Sequence, residues 1–176
     1  MIELTLSEIA DATGGTLVLA SGDSADTVVS GESQTDSREV QPGQIFFARR
    51  GDDTDGHLFA GKAVRSGAAL LVVERELGAA DLGLDTDGAA RPVTQLVVAD
   101  ATDALGALAA VAVGRLRERG ALTIVGITGS NGKTTTKNLV ATMAAKLGPT
   151  VASEKSFNNE VGGPITMLRT DRKSVV

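Results

Sequence analysis

The sequence predicts an α/β chain in two parts: a small domain over residues 1–99 and the beginning of a second over residues 100–176. Three observations predict it. Apolar runs at 45–48, 69–73 and 95–99 alternate with helical patterns at 57–66 and 102–118, the order of strands and crossover helices. A further apolar run at 122–128 leads through a glycine-rich turn into another helical pattern. The chain has 176 residues, 42% hydrophobic and 22% charged, enough for one ordinary domain or two small ones with a buried core.

Each element has a local reason. Thr5 and Glu8 have the spacing of a capping box and open a short helix with Leu6, Ile9 and Ala10 apolar, which Gly14-Gly15 ends. Thr16–Leu19 reads as a strand, and residues 20–31, rich in Gly, Ser and Asp, as a loop. Pro42-Gly43 marks a turn before the buried strand Ile45–Ala48. After a second turn at 52–56, His57–Ser66 suits a helix with Phe59, Ala60, Ala63 and Val64 on one face, stopped by Gly67. Ala69–Val73 and Gln95–Ala99 are strands, separated by a loop over 78–92. Thr102–Glu118 is a helix packed through Leu105, Leu108, Ala109, Ala112 and Leu116. The domain boundary falls near Asp100. Leu122–Thr128 reads as a buried strand, Lys133–Leu147 as a helix with Leu139, Val140, Met143, Ala144 and Leu147 apolar, and Thr150–Ala152 as a short strand.

Composition excludes several chemistries. There is no cysteine, so no disulfide, thiolate nucleophile or Cys-ligated metal, and His57 is the one histidine, so no multi-His site. A net charge of −5 and an aromatic set limited to Phe46, Phe47, Phe59 and Phe157 argue against general nucleic-acid binding, while leaving room for a local phosphate site. The N-terminus has no basic stretch followed by an apolar core, and no apolar run reaches about 18 residues, so neither a signal peptide nor a membrane span is expected. The cytoplasm is the default compartment.

Gly129-Ser130-Asn131-Gly132-Lys133-Thr134-Thr135 lies between the strand and helix of the second part. Glycines let backbone N–H groups turn inward around a phosphate, and the following helix presents its free N–H groups and positive dipole end to the same anion. Lys133 can neutralise terminal phosphate oxygens, and Thr134 can place its hydroxyl on Mg²⁺. Glycines at 126, 129 and 132 give G-x-x-G-x-x-G-K-T-T, a variant of the general G-x-x-x-x-G-K-[ST] spacing. With a strand before it, a helix after it and Gly-Lys-Thr in place, the stretch reads as a P-loop (Walker-A) variant rather than a glycine-rich turn with an incidental lysine.

Thr128 through Thr135 resembles the phosphate loop of the Mur ligases, ATP-dependent enzymes that build the peptide of the bacterial cell-wall precursor. Thr35-Asp36-Ser37-Arg38, with Pro42-Gly43, Phe47-Ala48, Gly51, Asp55-Gly56-His57 and Gly67-Ala68, resembles the N-terminal UDP-binding domain of the third and fourth ligases of that pathway. Phe157-Asn158-Asn159-Glu160-Val161-Gly162-Gly163-Pro164, with Thr166-Met167-Leu168, resembles the fourth. The resemblance covers the chain to about Thr170.

It implies a UDP-substrate domain over 1–99 and the start of the central ATP-binding domain over 100–176. ATP and Mg²⁺ are the implied cofactors, UDP-N-acetylmuramoyl-tripeptide and D-alanyl-D-alanine the implied substrates, and a cytoplasmic monomer the expected form, with no nucleic-acid or membrane partner. ATP phosphorylates the terminal carboxylate of the UDP-linked peptide, the dipeptide amine attacks the acyl phosphate, and phosphate leaves. By this carry-over Gly129, Ser130, Asn131, Gly132, Lys133, Thr134 and Thr135 bind the nucleotide. Lys133 is also catalytic and Thr134 sits on the metal. Ser37, Arg38, Asn158 and Asn159 contact the substrate.

Alternatives stand beside these roles. Asp36-Ser37-Arg38 also reads as a turn in which Arg38 holds the loop through Asp36. His57 suits a structural or capping role as well as ligand contact, and no nucleophile-elbow sequence supports a Ser–His–Asp triad. Asn158 and Asn159 can order a turn through their own side chains. The rival functions are the third ligase, adding diaminopimelate or lysine, and a nucleotide-binding module without catalysis. A folylpolyglutamate-synthase-like ligase fits less well, because of the UDP-type N-terminal stretch. After Lys133 the acidic residues are Glu154, Glu160 and Asp171, none of which follows an apolar strand as a second Mg²⁺ ligand would. The family's further glutamate, histidine, modified lysine and closing domain have no counterpart. Asp171-Arg172-Lys173-Ser174-Val175-Val176 departs from the family pattern and looks like a translated sequencing adapter. The expectation is a truncated reading of a longer gene whose product alone binds nucleotide weakly at best and ligates nothing.

Overall fold

A computed structural model describes residues 2–51, 54–84, 93–120, 122–153 and 160–170. The chain divides into two compact units, Glu3–Leu108 and Ala109–Val176 with Met1–Ile2.

In the first unit, β1 (Leu4–Thr5) leads directly into α1 (Leu6–Thr13). The predicted capping box is present: Glu8 N–H donates to Thr5 Oγ1 at 3.2 Å, and Thr5 N–H donates to Glu8 Oε2 at 2.8 Å. Gly14 ends the helix at φ 66°, a left-handed conformation that glycine adopts without a Cβ clash. β2 (Thr16–Val18) follows, then β3 (Val28–Val29), which pairs antiparallel with β1 inside the stretch expected to be loop. Two-residue strands carry too little pattern to be read from sequence.

β4 (Ser33–Gln34), β5 (Ile45–Phe47), β6 (Leu70–Val73) and β7 (Thr94–Val97) run parallel, and β2 closes the sheet antiparallel to β7 in the order β2-β7-β6-β5-β4. Every residue of β5 and β6 is buried, as expected of parallel strands covered on both faces. On one face Phe46, Leu71 and Val73 join Ala60, Ala63, Leu77 and Leu82 in a single cluster. Ile45, Phe47, Leu70 and Val72 alternate to the other face and are likewise buried.

The predicted helix over 57–66 is divided: a 3-10 turn (Gly56–Phe59) precedes α2 (Ala60–Arg65). Ala60 and Ala63 are buried as read, but Phe59 is 43% exposed, because the tighter turn rotates it away from the α-helical stripe. A short helix, α3 (Ala79–Leu82), interrupts the stretch expected to be loop. Four residues are too few for periodicity. Asp81 holds the helix start by accepting from Gly78 N–H at 3.0 Å and pairs with Arg75 at 2.9 Å. The buried Gln95 side chain both accepts from Leu77 N–H at 2.9 Å and donates to Leu77 O at 2.8 Å, fixing the chain after β6.

α4 (Ala101–Glu118) is the predicted long helix, with Leu105, Leu108, Ala109, Ala112 and Leu116 buried. Asp100 caps it, accepting from the N–H groups of Thr102 and Asp103 at 2.7 and 2.9 Å.

The second unit departs from expectation in its sheet. Neither 122–128 nor 150–152 forms a strand; Ile124 and Val125 are 40% and 47% exposed. A strand requires a hydrogen-bonded neighbour, and among the described residues no ladder forms beside this run. α5 (Lys133–Ala144) ends earlier than predicted, and Leu139, Met143 and Leu147, assigned to its packed face, are exposed for the same reason. Val140 and Ala144 instead help line a cavity of about 370 Å³, together with Ile124, Val151 and Met167. α6 (Gly162–Leu168) was not foreseen; its Thr166 hydroxyl bonds back to Gly162 O at 2.7 Å.

Candidate functional site

Among the described residues, one site in each unit gathers the polar and glycine-rich stretches singled out in the sequence. In the first, a cavity of about 620 Å³ opens beyond the carboxyl ends of β4 and β5, the place where parallel α/β sheets receive ligands. Thr35, Asp36, Ser37 and Arg38 follow β4 directly, and Arg49 and Gly51 follow β5; Thr54, Gly56, Phe59 and Lys62 complete the wall.

Arg38 is held within its own loop. Its Nε donates to Asp36 Oδ1 and Oδ2 at 2.9 and 3.1 Å, its Nη2 donates to Oδ2 at 2.6 Å, and its backbone N–H reaches Oδ1 at 2.9 Å. The Arg38 hydrogen bonds hold the Asp36 carboxyl down at about 2, below the ordinary carboxylate value. The fork uses Nε and Nη2, so a guanidinium with five N–H donors keeps others for a ligand. Ser37 lines the cavity but is itself buried.

His57 is structural. It is 2% exposed; Glu74 N–H donates to its Nε2 at 2.9 Å, and its Nδ1 lies 2.5 Å from Asp55 Oδ1. An Nε2 that accepts is unprotonated, so Nδ1 carries the hydrogen donated to Asp55. Asp55 Oδ1 also accepts from His57 N–H at 2.9 Å, the largest cause of its lowered pKa. Glu74 pairs with Arg50 at 3.2 Å and accepts from Ala101 N–H at 3.2 Å, joining the end of β6 to the start of α4. Arg49 Nε lies 3.4 Å from the Thr102 hydroxyl on the same helix.

In the second unit, Gly129–Gly132 makes the turn into α5. Gly132 occupies the helix cap at φ 77°, and no side chain caps the N–H groups behind it. An ideal Cβ at Gly132 would meet nothing within 4 Å, so the glycine is required by backbone conformation rather than by crowding. Lys133 curls over the turn, its Nζ donating to Gly129 O at 2.5 Å. Uncapped helix N–H groups, an open glycine turn and an ammonium at its mouth suit a phosphate chain. For a divalent cation, Thr134 offers one hydroxyl, and among the described residues no three His, Cys, Asp or Glu side chains gather to complete a metal site. Asn158 and Asn159 lie outside the described residues.

Comparison with known proteins bears on both units. The model described as "Mur ligase family, catalytic domain" matches residues 33–113, and "Mur ligase middle domain" matches residues 127–176. The chain belongs to the Mur ligase family. UDP-N-acetylmuramoyl-tripeptide–D-alanyl-D-alanine ligase of Mycobacterium bovis is 39% identical over 99% of this chain and 36% of its own length. The crystal structure of MurF from Acinetobacter baumannii superposes with a TM-score of 0.76 at 30% identity, covering all of this chain and 36% of that one. MurF from Thermotoga maritima, solved in complex with ADP, gives 0.63 at 27% identity over 84% of this chain and 31% of that one. This Mur ligase chain therefore spans about a third of the length of the relatives it matches. No helix among its described residues is long and apolar enough to cross a membrane.

Reading the sequence missed Arg49, Phe59 and Lys62 as cavity residues. Two signals were available: Arg49 directly follows a buried parallel strand, and Phe59 and Lys62 are three apart, on one side of a helical turn.

Proposed function

We propose that this chain carries the nucleotide-handling parts of an ATP-dependent ligase that joins D-alanyl-D-alanine to UDP-N-acetylmuramoyl-tripeptide in the cytoplasm. The first unit takes the UDP end of the substrate at the cavity beyond β4 and β5, with Ser37 and Arg38 among its contacts. The second unit takes the ATP phosphates at Gly129–Thr135. The observation that carries the reading is the uncapped, glycine-turned start of α5 with Lys133 across its mouth, in a chain whose relatives bear that ligase name.

Phosphoryl transfer to a carboxylate asks for positioning and charge neutralisation more than for covalent chemistry. The N–H groups at the start of α5 hold phosphate oxygens in place. Lys133 exchanges its bond to Gly129 O for oxygens of the β- and γ-phosphates and stabilises the charge that builds as the acyl phosphate forms and collapses. Thr134 would hold Mg²⁺, whose contribution is Lewis-acid neutralisation of the phosphate oxygens. Asn158 and Asn159 are assigned to the substrate beside this loop.

Isothermal titration of the chain with ADP tests the reading. Saturable binding that Lys133→Ala weakens at least tenfold supports it; a chain that ignores ADP, or binds it equally well without Lys133, overturns it. The rival acceptor class is that of a diaminopimelate ligase from Syntrophomonas wolfei, 39% identical over 72% of this chain. A chimera placing residues 1–170 before the remainder of a relative separates the two by phosphate release with D-alanyl-D-alanine against diaminopimelate.

A further inference from the structure

The glycine-rich turn before α5 contains a dipeptide with a reactivity of its own. Asn131 is followed by Gly132, and none of the other asparagines, Asn138, Asn158 and Asn159, precedes a glycine. The side-chain amide of asparagine is open to attack by the backbone nitrogen of the next residue. Glycine in that place favours the attack most, because no Cβ crowds the approach. A fold usually prevents the reaction by bonding the amide or by spending the next N–H in a helix or sheet. Neither restraint is present at this turn. Asn131 and Gly132 are both exposed, and among the described residues neither the Asn131 side chain nor the Gly132 N–H has a hydrogen-bond partner. Gly132 stands at the helix cap with φ 77° and ψ 0°, outside the α5 ladder, and an added Cβ there would meet nothing within 4 Å. Asn138 is the contrast: it lies inside α5, where the N–H of Leu139 belongs to the helix.

We propose that Asn131-Gly132 is a site of spontaneous deamidation that switches off the turn as a phosphate site, a consequence that rests on the reading of Gly129–Thr135 as the ATP loop. The Gly132 nitrogen gives its proton to hydroxide and bonds to Asn131 Cγ. The Cγ–Nδ2 bond breaks, the amide nitrogen leaves as ammonia, and a cyclic succinimide results. Water then adds to either ring carbonyl and opens it to aspartate or isoaspartate. Overall a water is consumed and an ammonia released, with no oxidant, reductant or cofactor. The product carries a carboxylate one residue before the cap of α5. An anion there is drawn to the uncapped N–H groups and to Lys133, so it competes for the groups a phosphate needs and repels the phosphate itself. The isoaspartate form also lengthens the backbone of the turn by a methylene. Phosphate oxygens seated on the same N–H groups block the attack, so bound nucleotide protects the turn.

The test is to age the 176-residue chain in mildly acidic and mildly alkaline buffer, with and without saturating ADP. Peptide mass spectrometry and isoaspartyl methyltransferase labelling read the conversion, and calorimetry reads ADP affinity on the same samples. Residue 131 should convert, faster at the alkaline pH and more slowly with ADP, while Asn138 keeps its amide. ADP affinity should fall in step with conversion. Asn131→Asp should bind ADP about tenfold more weakly than the fresh parent, or worse, with an unchanged melt. Asn131→Gln, whose longer side chain closes its ring far more slowly, should keep through ageing whatever ADP affinity it starts with. An amide at 131 that survives in the folded chain while the urea-unfolded chain converts overturns the site. Conversion that leaves ADP affinity intact, or Asn131→Asp binding as the fresh parent does, overturns the switch while the ATP-loop reading stands. A fresh parent that does not bind ADP overturns that reading and the switch with it, while conversion read by mass still decides the modification site.

Discussion

Arg38 grips the carboxylate of Asp36, two residues before it, through Nε at 2.9 Å and Nη2 at 2.6 Å. The pair closes the loop after β4 on itself and sets the rim of the first cavity. Its electrostatic signature is the Asp36 carboxyl, held at about 2 rather than its ordinary 3.8. A depressed carboxylate contributes its stabilisation above the ordinary value and loses it as pH falls through the depressed one. The pair should therefore open between about pH 4 and pH 2. With Arg38 77% exposed, solvent screens the pair, and the melting temperature should barely respond. A carbon-detected NMR titration should place Asp36 near 2 in the parent and back in the ordinary range in Arg38→Ala; an unmoved Asp36 would show that Arg38 is not its partner in solution.

His57 should matter to stability far more than its place beside the cavity suggests. Both ring nitrogens are engaged, and the residue is 2% exposed. Replacing it with Ala strands the Glu74 N–H and leaves a void, at a cost of about 2–4 kcal/mol. For a unit of this size that is a fall of roughly 10 °C or more in Tm. The nitrogen chemical shifts of the parent should report hydrogen on Nδ1. Hydrogen on Nε2 would contradict the bond from Glu74.

Lys133 presents the opposite case, a side chain whose loss should be silent to folding. It is half-buried at most, and among the described residues its side chain bonds to the carbonyl of Gly129. Lys133→Ala should leave the melt of the chain within about 2 °C, since substitutions at such positions shift stability by about 0.5 kcal/mol. ADP affinity should drop at least tenfold, the worth of a lost charged hydrogen bond. A large fall in Tm would mean that Lys133 holds the turn rather than serving a ligand.

Legibility in the sequence followed the number of residues that share a pattern. α4 was readable because its buried positions repeat over eighteen residues and Asp100 stands at its cap. The capping box of α1 was readable because two side chains at fixed spacing make it. α3 and the two-residue strands were not, since so few residues carry no pattern and the strands take their partners from elsewhere in the chain. The glycine-rich turn before α5 could be seen because its chemistry is local. The cavity of the first unit could be seen only in part, because Arg49, Phe59 and Lys62 come to it from a strand end, a 3-10 turn and a helix that no single motif contains. The strand expected at 122–128 failed for the complementary reason: an apolar run specifies that a segment can be buried, not that a neighbour is there to pair with it.

That uncovered run leaves a surface whose behaviour can be measured. Leu139, Met143 and Leu147 lie on or just after α5 with exposures of 60%, 61% and 90%. Apolar side chains grouped this way on one unit attract a dye or another apolar face. The double variant Leu139→Ser and Met143→Ser should therefore reduce anilinonaphthalene sulfonate fluorescence and concentration-dependent association of the chain. It should shift stability by about 0.5 kcal/mol at most per site, because nothing packed is removed. Leu108→Ala, at a fully buried position of α4, supplies the contrast, with an expected cost of about 2–5 kcal/mol. Were the serine pair as damaging as Leu108→Ala, the Leu139 and Met143 face of α5 would have to be covered in solution.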